Sequence, residues 1–127
     1  VRPWGRSATT RPKKTRKIVM AGLDHHLMGA DEWAPTFKTL GDPTRLKLLC
    51  AIHFAGPYKA TVTELAESTG VRVPTASAAL RAMEHMGTVH SAREGRSIRY
   101  TIVDPRIHEL LHWMGSGHAD PDPSVED

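Results

Sequence analysis

Apolar positions recur at helical spacing through most of the middle of the chain and alternate in one short stretch near its end. Trp33, Phe37 and Leu40 stand at i, i+4 and i+7 and predict a first helix over about 31–40, ended by Gly41. Asp42-Pro43 restarts the chain as a helix, Asp as N-cap and Pro in the first helical position. Leu46, Leu49, Cys50 and His53 then share a face, backed by Leu48 and Ile52, until Gly56-Pro57. Thr61 and Glu64 have the spacing of a capping box and open a short helix through about Ser68, with Gly70 marking a turn. A fourth helix over about 74–86 places Ala76, Leu80, Met83 and Gly87 on its inner face and Thr75, Ala78, Arg81 and His85 opposite. β-branched and aromatic runs at 88–90 and 98–103 flank a loop at 92–96 that holds Gly95, the pattern of a hairpin. Ile98, Tyr100 and Ile102 alternate strictly. Asp104-Pro105 opens a last helix with Ile107, Leu110, Leu111 and Met114 as its apolar stripe and Trp113 beside them, ended by Gly115 and Gly117. Two helices across a turn, the second polar outside, followed at once by a basic-tipped hairpin, predict a mainly α (α+β) winged helix-turn-helix of order α-α-α-α-β-β-α.

Composition sharpens this picture. At 127 residues one domain with a modest core is expected. No apolar run approaches the roughly 20 residues a membrane helix needs, and the N-terminus lacks a secretory apolar stretch, so a cytosolic protein is the expectation. The single cysteine, Cys50, excludes an intrachain disulfide framework and a thiolate cage, and its apolar neighbours suggest a buried, inert thiol. The net charge of +3 conceals a gradient. Residues 1–19 hold Arg2, Arg6, Arg11, Lys13, Lys14, Arg16 and Lys17 and no acid. Residues 116–127 hold Asp120, Asp122, Glu126 and Asp127 and no Lys or Arg, and the segment between is neutral. The expected organisation is a disordered basic arm and lead-in over 1–30, a folded unit over 31–115, and a disordered acidic tail over 116–127. Met20 and Met28 leave open that the native protein starts after the arm.

Arg93, Arg96 and Arg99 on the hairpin suit contacts to a sugar-phosphate backbone. The first and last helices exceed what a small winged core needs. Their apolar residues Trp33, Phe37, Ile107, Leu110, Leu111 and Met114 are candidates for a homodimer layer, with core capping within one chain as the alternative. No Ser/His/Asp order, phosphate-cradling Gly loop or convergent carboxylates stand out, so an enzyme is not expected.

Several blocks resemble the ArsR/SmtB family of repressors. Phe37-Lys38-Thr39-Leu40-Gly41-Asp42-Pro43-Thr44-Arg45-Leu46-Lys47-Leu48-Leu49 is similar to that family's opening block. Thr61-Val62-Thr63-Glu64-Leu65-Ala66 resembles its first helix-turn-helix helix, Gly95-Arg96-Ser97-Ile98-Arg99-Tyr100 its wing, and Asp104-Pro105 the head of its last helix. The resemblance covers about 31–115. It implies a homodimeric winged-helix repressor released from double-stranded operator DNA by a metal ion or another inducer. The helix 74–86 would enter the major groove, with Thr75, Ser77 and Ala78 at base edges and Arg72 and Arg81 flanking. Ala78 and Ala79 cannot hydrogen-bond a base, so readout leans on Thr75, Ser77, the arginines and DNA shape. A symmetric dimer implies a roughly palindromic operator.

Eight histidines suggest a sensing site. His108 and His112, at i and i+4 on the last helix, can reach one ion. Asp104 lies a turn earlier, His118 lies beyond the helix end, and His25 and His26 form a cluster in the lead-in. Nitrogen and oxygen ligands without thiolate suit Zn, Ni or Co. The ligand set that the resemblance implies for the last helix is incomplete, because Arg106, Gly117 and Asp120 stand near three of its places, and no Cys stands in the 61–66 block. A rearranged set drawn from His108, His112, His118, His25 and His26 is the candidate. The alternatives are surface histidines on a metal-independent regulator, or a winged helix used for protein contacts without specific DNA binding.

Overall fold

The computed structural model describes residues 20–119, so the basic run at 1–19 and the acids from Asp120 onward lie outside the described residues. Contacts divide the chain after Pro35 into two compact units. Helix α1 spans Leu23–Leu40 and crosses that division. It begins at Leu23 rather than near 31, which corrects the expected extent of the lead-in. Gly29 and Pro35 within it are poor helix formers and conceal it in the sequence, while Asp24 in its first turn and Lys38 in its last suit the helix dipole.

The remaining elements belong to the second unit: α2 Pro43–Ala55, β1 Ala60–Thr61, α3 Val62–Thr69, α4 Val73–His85, β2 Val89–Glu94, β3 Ser97–Ile102 and α5 Pro105–Trp113. Their boundaries follow from local chemistry. The Asp42 carboxylate accepts from the Arg45 N–H at 2.9 Å and caps α2. The Thr61 and Glu64 side chains exchange hydrogen bonds with each other's backbone N–H as a complete capping box. Gly70, at φ +75°, ends α3 in the left-handed conformation that a residue with a Cβ resists, and turns the chain into α4.

The sheet has the order β1-β3-β2 and is antiparallel throughout. Glu94 pairs directly with Ser97, so the hairpin turns through Gly95-Arg96 alone, and residues 92–94, expected in the loop, extend β2. Gly95 has φ +64°, as the first turning residue of such a two-residue connection requires. The two-residue β1 is too short to show an alternation in the sequence. It pairs Ala60 with Tyr100 and so anchors the root of the wing beside α3.

One core gathers every element of the second unit. Leu48, Leu49 and Ile52 of α2, Leu65 and Ala66 of α3, Ala76, Leu80 and Met83 of α4, Val89, Tyr100, and Ile107 and Leu111 of α5 are all buried. The alternation in β3 is realised: Tyr100 is buried, with Ile98 and Ile102 packed partly against the core. Two of the residues expected in a dimer layer are corrected. Ile107 and Leu111 are fully buried within the chain itself, because α5 turns this edge of its stripe onto α2 and the sheet. The apolar surface that α5 leaves outside is Trp113, 86% exposed, with Met114 and the half-buried Leu110. Phe37 of α1 is also exposed and Trp33 is half-buried. This is a winged helix-turn-helix, with α3 and α4 as the motif and β2–β3 as the wing. No helix among the described residues is long and apolar enough to cross a membrane.

Leu80→Ala, at the centre of this core, is expected to cost about 2–5 kcal/mol, and Asp42→Ala about 1 kcal/mol through the lost cap. Urea denaturation followed by circular dichroism measures both.

Candidate metal centre and nucleic-acid surface

The end of α5 is built by its glycine. Gly115 adopts φ +94°. Its N–H donates to the His112 carbonyl at 3.1 Å, and the Ser116 N–H donates to the Leu111 carbonyl at 2.9 Å. That is a Schellman closure, and it reverses the chain after the helix. The following residues run back along α2, where the Ala119 N–H donates to the Phe54 carbonyl at 2.9 Å. His118 is thereby carried to the C-terminal end of α2.

Four imidazoles meet there: His53 of α2, His108 and His112 of α5, and His118. One ring nitrogen from each lies within 4.8 Å of those of the other three. His53 is buried and the other three are exposed. The Nε2 atoms of His53 and His112 are 3.2 Å apart. Nδ1 of His53 lies 3.3 Å from the Ser116 hydroxyl, and Nδ1 of His118 lies 3.1 Å from the His53 carbonyl oxygen. Burial pushes the His53 pKa down from 6.5 to about 4, and the neighbouring His118, His112 and His108 add to this; a hydrogen bond with the Gly117 backbone works weakly the other way. His53 is therefore a neutral imidazole at neutral pH, the form a metal ion requires. A cavity of about 140 Å³ beside the cluster is lined by His53, His108 and His118 together with Ile52, Pro57 and Ile102.

The structure brings His108, His112 and His118 of the expected set together and adds His53, which the sequence did not mark as a ligand. Asp104 is not one of the four; its carboxylate accepts from the Arg106 N–H at 2.9 Å and caps α5. His25 and His26 sit in the first turns of α1, in the first unit, with ring centroids 5.9 Å apart. The one hint of His53 was its place on the apolar face of α2. Nothing local says that it meets residues more than fifty positions later. Cys50, expected to be buried, is half-buried and lines a separate groove between α2 and α3.

The second surface is formed by α4 and the wing. Thr75, Ala78 and Arg81 are exposed on the outer face of α4, and Arg72 stands at its start without a side-chain cap bond. Ser77 is half-buried and its hydroxyl accepts from Arg81 Nη1, so these two side chains hold each other. On the wing, Arg93 and Arg96 are exposed at the tip. Arg99 is spent locally: its Nε lies 3.2 Å from a Glu94 carboxylate oxygen and its Nη1 donates to the Lys59 carbonyl. Helix and wing are joined by Glu84, which the sequence did not flag. Its carboxylate accepts from the Ser91 N–H at 3.1 Å and from the Ser91 hydroxyl at 2.9 Å. Burial, and then this carboxylate, raise the pKa of Tyr100.

Residues 42–91 match the family described as "Bacterial regulatory protein, arsR family". The chain is 37% identical over 81 residues to a probable mercury resistance operon repressor of Streptomyces lividans, covering 64% of this chain and 62% of that one. It is 37% identical over 82 residues to the transcriptional regulator NmtR of Mycobacterium tuberculosis, covering 65% and 66%. The chain thus spans less than two thirds of the length of each of these two. With a biofilm growth-associated repressor of Xylella fastidiosa it shares 30% identity over 103 residues, covering 81% of this chain and 82% of that one. Among solved structures, the AntR antimony-specific transcriptional repressor superposes with a TM-score of 0.61 at 34% identity, covering 67% of this chain and 75% of that one. On the shared motif blocks, the common fold and the extent of the Xylella match, the chain belongs to the ArsR family of bacterial regulatory proteins.

Proposed function

We propose that this chain is a DNA-binding transcriptional repressor that acts as a homodimer and is released from its operator by a divalent metal ion bound at His53, His108, His112 and His118. The observation that carries the reading is the convergence of four imidazoles from α2, α5 and the segment after α5, in the same unit that holds the helix-turn-helix and wing. Relatives whose names give a mercury resistance operon or antimony as their subject support a metal as the inducer. The all-imidazole donor set favours Zn, Ni or Co.

On DNA, α4 lies in the major groove with Thr75 and Ala78 at base edges, Ala78 against a thymine methyl, and Ser77 acting through its hold on Arg81. Arg72 and Arg81 flank it, and Arg93 and Arg96 reach phosphates from the wing tip. Arg99 contributes by shaping the wing through Glu94 and Lys59. In the dimer, Trp113, Met114 and Leu110 of α5 and Phe37 of α1 supply the apolar contact, with Ile107 and Leu111 supporting α5 from inside. Two copies related by a two-fold axis read a roughly palindromic operator.

The decisive experiment titrates a complex of the chain with DNA from its own promoter region, followed by fluorescence anisotropy. Zn, Ni or Co releases the wild-type chain, while His108→Ala and His112→Ala bind DNA normally and stay bound. Release that is unchanged in both variants, or absent with every metal, overturns the metal reading. Binding no tighter than to random DNA overturns specific repression.

Arg96→Ala is expected to weaken binding about equally across sequences and to lower the salt slope by about one ion. An unchanged slope in the same assay removes Arg96 from the phosphate contacts.

Protons oppose the fold at this site. The folded-state pKa of His53 lies below its ordinary value, so the unfolded chain binds the proton first. The stabilisation is complete above pH 6.5 and is lost as pH falls through the interval down to about 4. The urea midpoint of the metal-free chain should fall more steeply across that interval than that of His53→Gln.

A further inference from the structure

Resting on the metal-responsive reading above, we infer that the four histidines form a complete four-coordinate site within a single chain, and that the ion serves as a clasp fixing the segment after α5 onto α2.

Three observations carry this. All four donors come from the second unit, and their nitrogens approach one another without any residue from another copy. The spacing suits a small tetrahedral ion. Metal–nitrogen bonds of about 2.0–2.1 Å place neighbouring donors about 3.4 Å apart. The His53 and His112 Nε2 atoms already stand at 3.2 Å. The widest separation, 4.8 Å, closes by about 1.4 Å through three exposed, adjustable side chains. Third, two of the rings are already oriented from behind. His118 directs Nδ1 to the His53 carbonyl, and His53 directs Nδ1 to the Ser116 hydroxyl. With Nδ1 engaged, each ring presents Nε2 as the metal-binding atom, the outer-shell arrangement typical of ligating histidines.

The donor set also selects the ion. Four imidazole nitrogens without a carboxylate or thiolate disfavour Mg and Ca, which prefer oxygen, and ions that demand sulfur. Cys50 is not among the donors. A tetrahedral set favours Zn or Co over an octahedral ion.

The mechanical consequence follows from which parts the donors join. His108 and His112 belong to α5, His53 to α2, and His118 to the returning segment. Apart from the ion, that segment is held to α2 by the Ala119–Phe54 hydrogen bond and the Ser116 and His118 contacts to His53. It forms one wall of the apolar groove whose other walls include Cys50 and Phe54 of α2 and Leu65 and Thr69 of α3. Loading the site makes this wall rigid against the first helix of the DNA-binding motif.

The test uses the full chain with Co as probe. Expected are one Co per chain, the strong visible absorption of four-coordinate Co, and slower amide exchange over residues 115–119 on loading. His112→Ala and His118→Ala should each abolish the four-coordinate band, and Ser116→Ala should weaken binding about ten-fold with the band unchanged. Chains carrying His53→Gln are then mixed and refolded with chains carrying His112→Ala, and separately His112→Ala with His118→Ala chains. A site within one chain recovers no band in either mixture. Recovery in a mixture shows donors shared between copies and overturns the single-chain site while leaving a metal inducer standing. A weak six-coordinate spectrum, or unchanged exchange over 115–119, overturns the clasp and likewise spares the metal reading. Absence of Co and Zn binding to the wild-type chain overturns both.

Discussion

The burial of Ile107 and Leu111 against α2 and the sheet is the contact on which the rest of the second unit turns. These two side chains stand one helical turn apart, and each contributes about 1.5–3 kcal/mol by leaving water. Their packing sets the rotation of α5 about its own axis. His108 and His112 follow them directly in the sequence, so the same rotation carries both imidazoles to the edge of the seam where His53 closes the buried face of α2. The Schellman closure at Gly115 then returns the chain over that edge. A hydrophobic contact thus positions a polar site without any of the site residues having to drive folding.

The same core also positions the outer face of α4 and the wing. Ala76, Leu80 and Met83 hold α4 down, which leaves Thr75, Ala78 and Arg81 outward. Glu84 and Ser91 tie that helix to the wing, while β1 pairs with β3 at the wing's root. Both surfaces rest on α2, whose Leu48, Leu49 and Ile52 lie in the core and whose His53 lies in the imidazole cluster. This shared helix joins the imidazole cluster to the core beneath α4 as one element with packed neighbours on both sides.

Charge has a smaller part in this surface than the pI of 9.3 suggests. The excess of cations lies in residues 1–19, outside the described residues, and the 20–115 segment has equal numbers of Lys/Arg and Asp/Glu. Within the folded unit the arrangement of a few arginines matters more than their number. Arg99, counted with Arg93 and Arg96 by proximity in sequence, is turned to Glu94 and Lys59, because pairing in the hairpin puts it on the face opposite Arg93.

The sequence by itself determined what depends on near neighbours: the capped starts of α2, α3 and α5, the turn at Gly70, the inner face of α4 and the alternation of β3. Each rests on residues within one or two helical turns, where side-chain caps and periodicity act directly. It determined the winged helix-turn-helix as well, because the order of such elements allows few packings. Only the tertiary structure decided which apolar residues of α5 are core and which are surface, since Ile107, Leu110, Leu111 and Met114 form one stripe until α2 covers half of it. It alone brought His53 to His108, His112 and His118, and left Asp104 to its cap. Imidazoles separated by more than fifty residues are related by no local period; their meeting is fixed by how two helices pack, and that is a property of the whole core.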